Sequence, residues 1–194
     1  MIILKSVRCI IADILYWISG RPLKSVILMD IHRNLKWDKS KDRIKSNILL
    51  LHYLLLTKIE FRSIFYFRMK DHRFLVALCR MILPDAKSIE LGGEIGGGLM
   101  ISHYHSVIFP KKAGSNFRVG PGAVIEGGFP TFGNNVYVAS NATVIGNINI
   151  GDNVIIGAGS LVTEDLPANG VYVGNPAKLI KHIDGNEALL NEIM

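Results

Sequence analysis

The sequence predicts a mainly β protein with a helical N-terminal region, in which the β part is a stack of three-sided parallel coils. Three observations predict this fold. Aliphatic residues recur every six positions after residue 88, glycine or asparagine returns at intervals between them, and residues 1–87 contain apolar blocks and a single glycine. A period of six matches neither a helix nor a lone strand, but it matches a short strand followed by a turn.

The first 87 residues are predicted to form several helices. Their apolar blocks, IIADILYWI from Ile10 and NILLLHYLLL from Asn47, are separated by basic residues and have a helical rather than a strand-like pattern. Pro84 is expected to end the last helix, because its ring lacks an N–H and disfavours a helical conformation in the residue before it.

The six-residue repeats fall into two frames separated by a shift of one residue. The first position of each repeat is expected to point inward, the second is often glycine, and the fifth is often small or aliphatic. Glycine and asparagine suit the corners, because they tolerate positive φ where the chain bends. Repeats are predicted over 88–183, between the helical region at 1–87 and a C-terminal tail at 184–194. The predicted inward residues are Ile89, Ile95, Ile101, Val107, Ala113, Val119, Ile125, then Phe132, Val138, Val144, Ile150, Ile156 and Val162.

Charge divides the chain into two unlike halves. Residues 1–87 carry 17 Lys and Arg against 7 Asp and Glu, whereas the remaining residues carry 5 against 9, and the whole chain has a net charge of +6. The basic half is either an ordinary solvated surface or a surface that contacts acidic membrane lipid. We expect no nucleic-acid partner.

The two cysteines, Cys9 and Cys79, are expected to be reduced and buried. They have neither the spacing of a metal site nor that of a disulfide framework. Reduced thiols and the lack of a recognisable cleavable signal favour a cytoplasmic location, with contact to the inner membrane face as a further hypothesis.

Two segments resemble the hexapeptide-repeat acyltransferases. The segment IGDNVIIGAGSLVTEDLPANGVYVGNPAKLI, from Ile150, resembles the last coils and closing segment of that family. The segment IGGGLMISHYHSVIF, from Ile95, resembles the catalytic coil of its serine acetyltransferase-like branch. The resemblance implies a left-handed parallel β-helix and CoA-dependent O-acetyl transfer. It also implies a homotrimer, or a dimer of trimers, with an active site between neighbouring β-helices.

On this resemblance His103 is the general base. An imidazole within hydrogen-bond reach can remove the proton of a hydroxyl as it attacks a thioester. Family members hold the second ring nitrogen with a carboxylate, but the positions that align without a gap are Ser88 and Ser102. With a two-residue gap, Glu90 takes this role. His105 falls on a fifth repeat position and is predicted to lie in or near the core.

The resemblance places acetyl-CoA along the corners of the coils and requires no metal. Small residues there let the pantetheine arm approach backbone N–H and C=O groups, and one of those N–H groups can stabilise an oxyanion. The matching residues are Ala139, Ser140, Gly157 and Ala158, with Lys178 near the CoA phosphates.

The predicted acceptor is a sugar hydroxyl in surface polysaccharide biosynthesis. Serine acetyltransferases carry an Arg-His pair in a loop between the two frames, whereas this chain has Phe129 and Pro130 there. An aromatic ring suits stacking on a sugar, and Glu126 is a candidate hydrogen-bond acceptor for the substrate. Serine is the alternative acceptor, and a non-catalytic trimeric scaffold is the second alternative. A metal-dependent lyase using three histidines is disfavoured, because the repeats contain only His103 and His105.

Overall fold

The computed structural model describes residues 6–103 and 105–183 of the chain. The predicted tail at 184–194 lies outside the described residues. Helices come first and stacked strands follow, which confirms the predicted fold class of a left-handed parallel β-helix preceded by helices.

Five α-helices and two short 3₁₀ segments form the described helical half. The last helix ends at Ile82, two residues before Pro84, as the sequence predicts. Among the described residues, no helix combines the length and apolar character needed to cross a membrane. The 3₁₀ segments are Ser6–Cys9 and Lys39–Arg43, and the helices are α1 (Ile10–Ile18), α2 (Arg21–Asn34), α3 (Asn47–Thr57), α4 (Ile59–Arg68) and α5 (Arg73–Ile82).

Fifteen short strands within the described residues build a three-sided prism. The first face is ordered β1-β4-β7-β10-β13, the second β2-β5-β8-β11, and the third β3-β6-β9-β12-β14-β15. All pairs are parallel except β14 with β15. The strands are β1 (Ile89–Leu91), β2 (Glu94–Ile95), β3 (Met100–Ile101), β4 (Ser106–Ile108), β5 (Lys112–Ala113), β6 (Arg118–Val119), β7 (Val124–Glu126), β8 (Thr131–Phe132), β9 (Tyr137–Val138), β10 (Thr143–Ile145), β11 (Asn149–Ile150), β12 (Val154–Ile156), β13 (Leu161–Val162), β14 (Gly170–Val173) and β15 (Lys178–His182).

Identical positions of successive coils stack inside the prism. Every predicted inward residue is buried except Val107, which is only partly buried. The prediction for Val107 is wrong because its neighbour Ile108 takes the inward place and pairs in register with Ile125. The inward residues Ile101 and Ile108 are seven positions apart instead of six. The corner between them therefore holds one extra residue.

The corners of successive coils line up into three edges. We name them by a residue that each contains. The histidine edge joins the third face to the first, the Phe129 edge joins the first to the second, and the asparagine edge joins the second to the third. In successive coils the histidine edge comprises residues 102–106, 120–123, 139–142 and 157–160. The Phe129 edge comprises residues 92–93, 109–111, 127–130 and 146–148, and the asparagine edge comprises residues 96–99, 114–117, 133–136, 151–153 and 167–169.

A ladder of asparagines runs along the asparagine edge. Four of them occupy left-handed conformations, with φ between 56° and 61°. Each side-chain amide donates from Nδ2 to Oδ1 of the next, at distances of 3.0, 2.9 and 2.8 Å. Asparagine therefore has two roles here. It tolerates the left-handed φ at the corner, and its side-chain amide forms hydrogen bonds between adjacent coils. In order, the ladder is Asn116, Asn135, Asn153 and Asn169.

A buried ion pair attaches the helices to the first coil. Arg68 of α4 donates from Nε to Oδ2 of Asp30 on α2 at 2.8 Å, and the two side chains are only 6% and 1% exposed. Oδ1 of Asp30 accepts the backbone N–H groups of Gly98 and Leu99, both at 2.8 Å. Arg68 also donates to two backbone carbonyls of the first coil, those of Ile95 and Gly96.

Opposing effects act on the carboxyl of Asp30. Burial is the largest and raises the pKa of Asp30, while the charge and hydrogen bonds of Arg68 and the two backbone N–H groups act to lower it. A third side chain, Asn34, donates from Nδ2 to the carbonyl of Leu99 at 2.9 Å. Backbone N–H and C=O groups of the first coil, which has no further coil on that side, are thus hydrogen-bonded by side chains of α2 and α4.

The helical half has a core of its own that contains both cysteines. Cys9 and Cys79 are free thiols and are buried, as predicted. Burial is the main cause that raises the pKa of each thiol to about 11. In the same half, Nε2 of His52 lies 2.6 Å from Oδ1 of Asp13, which ties α3 to α1.

Candidate active site

His103 lies at the histidine edge, in the corner that carries the extra residue. Its side chain is exposed, and its φ of 66° is left-handed. The corner leaves β3 after Ile101 and reaches β4 at Ser106. Ser106 is fully buried and bonds through Oγ to the carbonyl of Gly120 in the next coil at 3.1 Å, so the end of this corner is fixed. The fold therefore presents the imidazole to solvent on a well-held turn.

A cleft of about 550 Å³ opens beside His103. It is formed by the prism on one side and by residues of α2, α4 and the α3–α4 junction on the other. Helical residues had no place in the predicted site, yet they supply an amide, a cation and a carboxylate. The lining comprises Asn34, Lys58, Glu60, Met100, Ile101, Ser102, His103, Arg118, Pro121, Tyr137 and Ser140.

Arg118 is held in this cleft between two aromatic rings. Its guanidinium carbon lies 4.5 Å from the ring centre of Tyr137 and 4.9 Å from that of Trp37. Arg118 and Tyr137 are paired neighbours on the third face. Contact with the two rings restrains the positively charged guanidinium. Lys58 adds a second cation, and its Nζ donates to the carbonyl of Asn34 at 2.7 Å.

The predicted carboxylate partner of His103 stands apart from it in this chain. Glu90 is exposed on β1 and pairs in register with Val107. Within the described residues, no hydrogen bond joins Glu90 to His103. Ser102 lines the cleft, and its buried Oγ has no hydrogen-bond partner there. The role of Glu90 as the carboxylate partner of His103 therefore stays a prediction, and the geometry of this chain gives no further support for it.

The predicted cofactor residues lie on the same edge as His103. Ala139 and Ser140 form the corner after β9, and Gly157 and Ala158 form the corner after β12. These four residues have small side chains. Ala139 is buried, Ser140 and Gly157 are partly buried, and Ala158 is exposed, so the row of corners leads along one edge from His103 towards the last coils. Lys178 begins β15 further along and is exposed.

Glu126 and Phe129, the predicted acceptor residues, lie on another edge. Glu126 ends β7, where it pairs in register with Ile145, and Phe129 is 63% exposed at the next corner. Both belong to the Phe129 edge, which the first face separates from the histidine edge. Within one chain they do not share a cleft with His103. They can complete its site only if a second copy brings its Phe129 edge alongside.

The prediction that His105 is a core residue is wrong. Its side chain is exposed, and its φ of 66° equals that of His103. The extra residue in this corner shifts the frame, so His105 lies in the turn instead of at an inward position. Its backbone N–H is bonded to Oγ of Ser88 in the first coil at 3.3 Å. The described part of the chain has no group of three or more His, Cys, Asp or Glu residues that could hold a metal ion.

Sequence reasoning missed the helical and the stacked residues of the cleft. Lys58 and Glu60 lie at the junction of α3 and α4, where the sequence carries no motif that points to a site. Arg118 and Tyr137 did carry a signal. Each precedes an inward aliphatic residue of the third face, in consecutive coils, so the repeat alone places the two side by side on the outer surface.

Comparison with known proteins identifies relatives of the repeat region. The family of bacterial transferases with six hexapeptide repeats matches residues 129–164. The serine acetyltransferase of Helicobacter pylori strain 26695 is 36% identical over 117 residues, which are 56% of this chain and 67% of that protein. The serine acetyltransferase of Synechococcus elongatus is also 36% identical over 117 residues, but these are only 47% of its length. The galactoside O-acetyltransferase of Escherichia coli K12 is 45% identical over 60 residues, 30% of each chain.

The fold is also similar to that of solved structures. The crystal structure of Neisseria gonorrhoeae serine acetyltransferase superposes with a TM-score of 0.66 and 25% identity, and covers 86% of this chain and 68% of its own. The chain spans about half, or less, of the length of several curated relatives that it matches.

Proposed function

Because this chain belongs to the hexapeptide-repeat acyltransferase family, in its serine acetyltransferase-like branch, we propose that it transfers an acetyl group from acetyl-CoA to a hydroxyl. The observation that carries this proposal is the position of His103. It is an exposed imidazole in a cleft, on the same edge as the row of small residues that suits a pantetheine arm.

His103 would act as the general base in a ternary complex. The imidazole removes the proton of the acceptor hydroxyl while that oxygen attacks the thioester carbonyl. The resulting oxyanion is stabilised by a backbone N–H of this edge, and its collapse breaks the C–S bond. The CoA thiolate then leaves with the proton from the imidazolium. No covalent intermediate on the protein is needed.

The acceptor we favour is a small amino acid such as serine, and not the sugar that the sequence predicted. Serine acetyltransferases match this chain over 117 to 122 residues, whereas the galactoside O-acetyltransferase matches over 60. The cleft also supports this choice, since Arg118 and Lys58 can face a carboxylate while Glu60 can face an ammonium group. Arg118 in particular offers a cation held against two rings, in a chain that lacks the Arg-His loop of serine acetyltransferases.

A sugar hydroxyl is the second candidate acceptor. The exposed ring of Phe129 favours it, as does the local match to a galactoside O-acetyltransferase. Phe129 reaches a catalytic cleft only through a second copy of the chain. We therefore propose that the active assembly is a trimer in which each site lies between the histidine edge of one protomer and the Phe129 edge of its partner.

Release of CoA thiol from acetyl-CoA, with L-serine or a galactoside as acceptor, tests the proposal. We expect His103→Asn to lower kcat by about 10²- to 10⁴-fold, since a positioned base contributes that much. Asparagine is the suitable replacement, because it tolerates the left-handed φ that alanine does not. His105→Asn is the matched control with the same φ, two residues away, and should leave kcat nearly unchanged.

A second variant tests whether the acceptor is an amino acid or a sugar. Glu60→Gln should raise KM for serine and leave kcat nearly unchanged, and it should not alter KM for a neutral sugar. Full turnover by folded His103→Asn protein would refute the assigned base. Turnover with the galactoside and none with serine would refute the amino-acid acceptor while keeping the acetyltransferase.

A further inference from the structure

Helix α1 has apolar residues on both of its faces. One face, with Ala12 and Leu15, is buried against the helical core. The opposite face is exposed. A surface helix normally carries polar residues on its outer face, so an apolar outer face indicates that something covers it. The exposed apolar residues are Val7 of the preceding 3₁₀ turn, at 67% exposure, and four residues of the helix. These four are Ile10, Ile14, Trp17 and Ile18, with exposures of 53%, 45%, 78% and 40%.

Helix α5 extends this apolar surface. It packs on α1, and Nη2 of Arg8 bonds to the carbonyl of Ile82 at its end at 3.0 Å. Phe74 and Met81, two turns apart on α5, are 75% and 81% exposed. We call the exposed apolar residues of α1, its preceding 3₁₀ turn and α5 the apolar patch. Contacts with the first coil are made chiefly by α2 and α4, and the outer faces of α1 and α5 remain exposed.

Cations surround the apolar patch. Arg8, Arg21 and Arg73 are exposed, and Lys24 lies beside it with Nζ bonded to the carbonyl of Trp17 at 3.0 Å. The acidic side chain within α1 is Asp13, which is engaged by His52. A second copy docked face to face on this patch would set one basic surface against another. An anionic surface would pair with these cations instead.

We propose that the apolar patch docks the protein on a membrane that contains anionic phospholipid. Its aliphatic and aromatic side chains enter the boundary between headgroups and acyl chains, where tryptophan is favoured. The surrounding arginines and lysine contact lipid phosphates, each adding to the attraction at moderate ionic strength. The proposal concerns the helical half and does not depend on the acetyl transfer proposed above.

Flotation of the full chain with lipid vesicles tests this docking. We expect the protein to float with phosphatidylcholine vesicles containing about 30% phosphatidylglycerol, and to bind pure phosphatidylcholine at least about tenfold less. The double variant Ile14→Ser, Trp17→Ser should lose at least about tenfold of its vesicle binding. Ile180→Ser, which removes a 65% exposed isoleucine from β15, is the matched control and should float like the wild type.

Light scattering of the same variants without lipid distinguishes docking on a membrane from association with a second copy of the chain. An unchanged mass for the double variant, together with its loss of flotation, supports docking to lipid. A lower mass in the double variant would show that the patch joins copies of the chain, and would overturn the proposal. Equal flotation of wild type and double variant, or no flotation of wild type with anionic vesicles, would also overturn it.

Discussion

Removing the charge of Asp30 is expected to loosen the helical half from the prism. In Asp30→Asn, the side-chain oxygen can still accept the N–H groups of Gly98 and Leu99, so the shape of the contact is kept. The new amide group, however, faces the donors of Arg68. The guanidinium stays at 6% exposure with no opposite charge beside it.

The magnitude follows from burial. Breaking a buried ion pair by removing one partner costs about 3–5 kcal/mol, because the remaining charge is left uncompensated. The ion pair between Arg80 and Asp85 is a control within the same half. It joins atoms 3.0 Å apart, but its side chains are 51% and 19% exposed. Exposed pairs contribute about 0–1 kcal/mol, so Asp85→Asn should cost no more than that.

Urea unfolding followed by circular dichroism at a helical wavelength measures both variants. We expect the free energy of unfolding of Asp30→Asn to fall by about 3–5 kcal/mol and that of Asp85→Asn by under about 1 kcal/mol. Adding Arg68→Met to Asp30→Asn should recover part of the loss, since it removes the stranded charge. Equal losses in the two single variants would refute the reasoning that burial makes the Asp30 pair critical.

Three further predictions concern other elements. With thiol pKa values of about 11, Cys9 and Cys79 should react with iodoacetamide at pH 8 at least about a hundredfold more slowly in the native than in the urea-unfolded protein, and equal rates would contradict their burial. Asn135→Ala should lower the free energy of unfolding by about 2–3 kcal/mol, whereas Asn135→Gly, which keeps the left-handed φ, should cost less. The difference between the two losses measures the cost of the left-handed conformation at this corner. Gly128→Ala should destabilise the prism by at least about 1–3 kcal/mol more than Gly127→Ala in a melting experiment, because only at Gly128 would the new Cβ lie within 3 Å of the backbone of the next coil.

The architecture was predictable because a prism repeats one local rule. Each coil needs an inward aliphatic residue on each face and a corner residue that tolerates positive φ, and both requirements appear in the sequence as columns. The prediction failed at Val107, where the corner with His103 and His105 contains an extra residue. That corner contains two left-handed histidines, and no periodicity in the sequence predicts where a corner lengthens.

The candidate site was predictable only where it follows the repeat. His103 and the small residues around Ser140 occupy corners, so the repeat places them on one edge. Lys58 and Glu60 come from helices that reach the cleft through tertiary packing, which a single sequence does not encode as a pattern. A resemblance assigned Phe129 to the acceptor pocket of a site between protomers, and the structure places its corner on another edge of the prism from His103, so this assignment stays a prediction.

The closed ends of the prism have a consequence for how these molecules associate. A stack of parallel coils whose end strands have unpaired backbone groups is a template on which another such stack can grow, as in fibrils. Asp30, Asn34 and Arg68 occupy that template at one end, and β15, running against its neighbours, interrupts it at the other. A truncated chain lacking the helices should therefore pair end to end with a second copy through the bare first coil, whereas β15 at the far end stops the stack from growing into a filament.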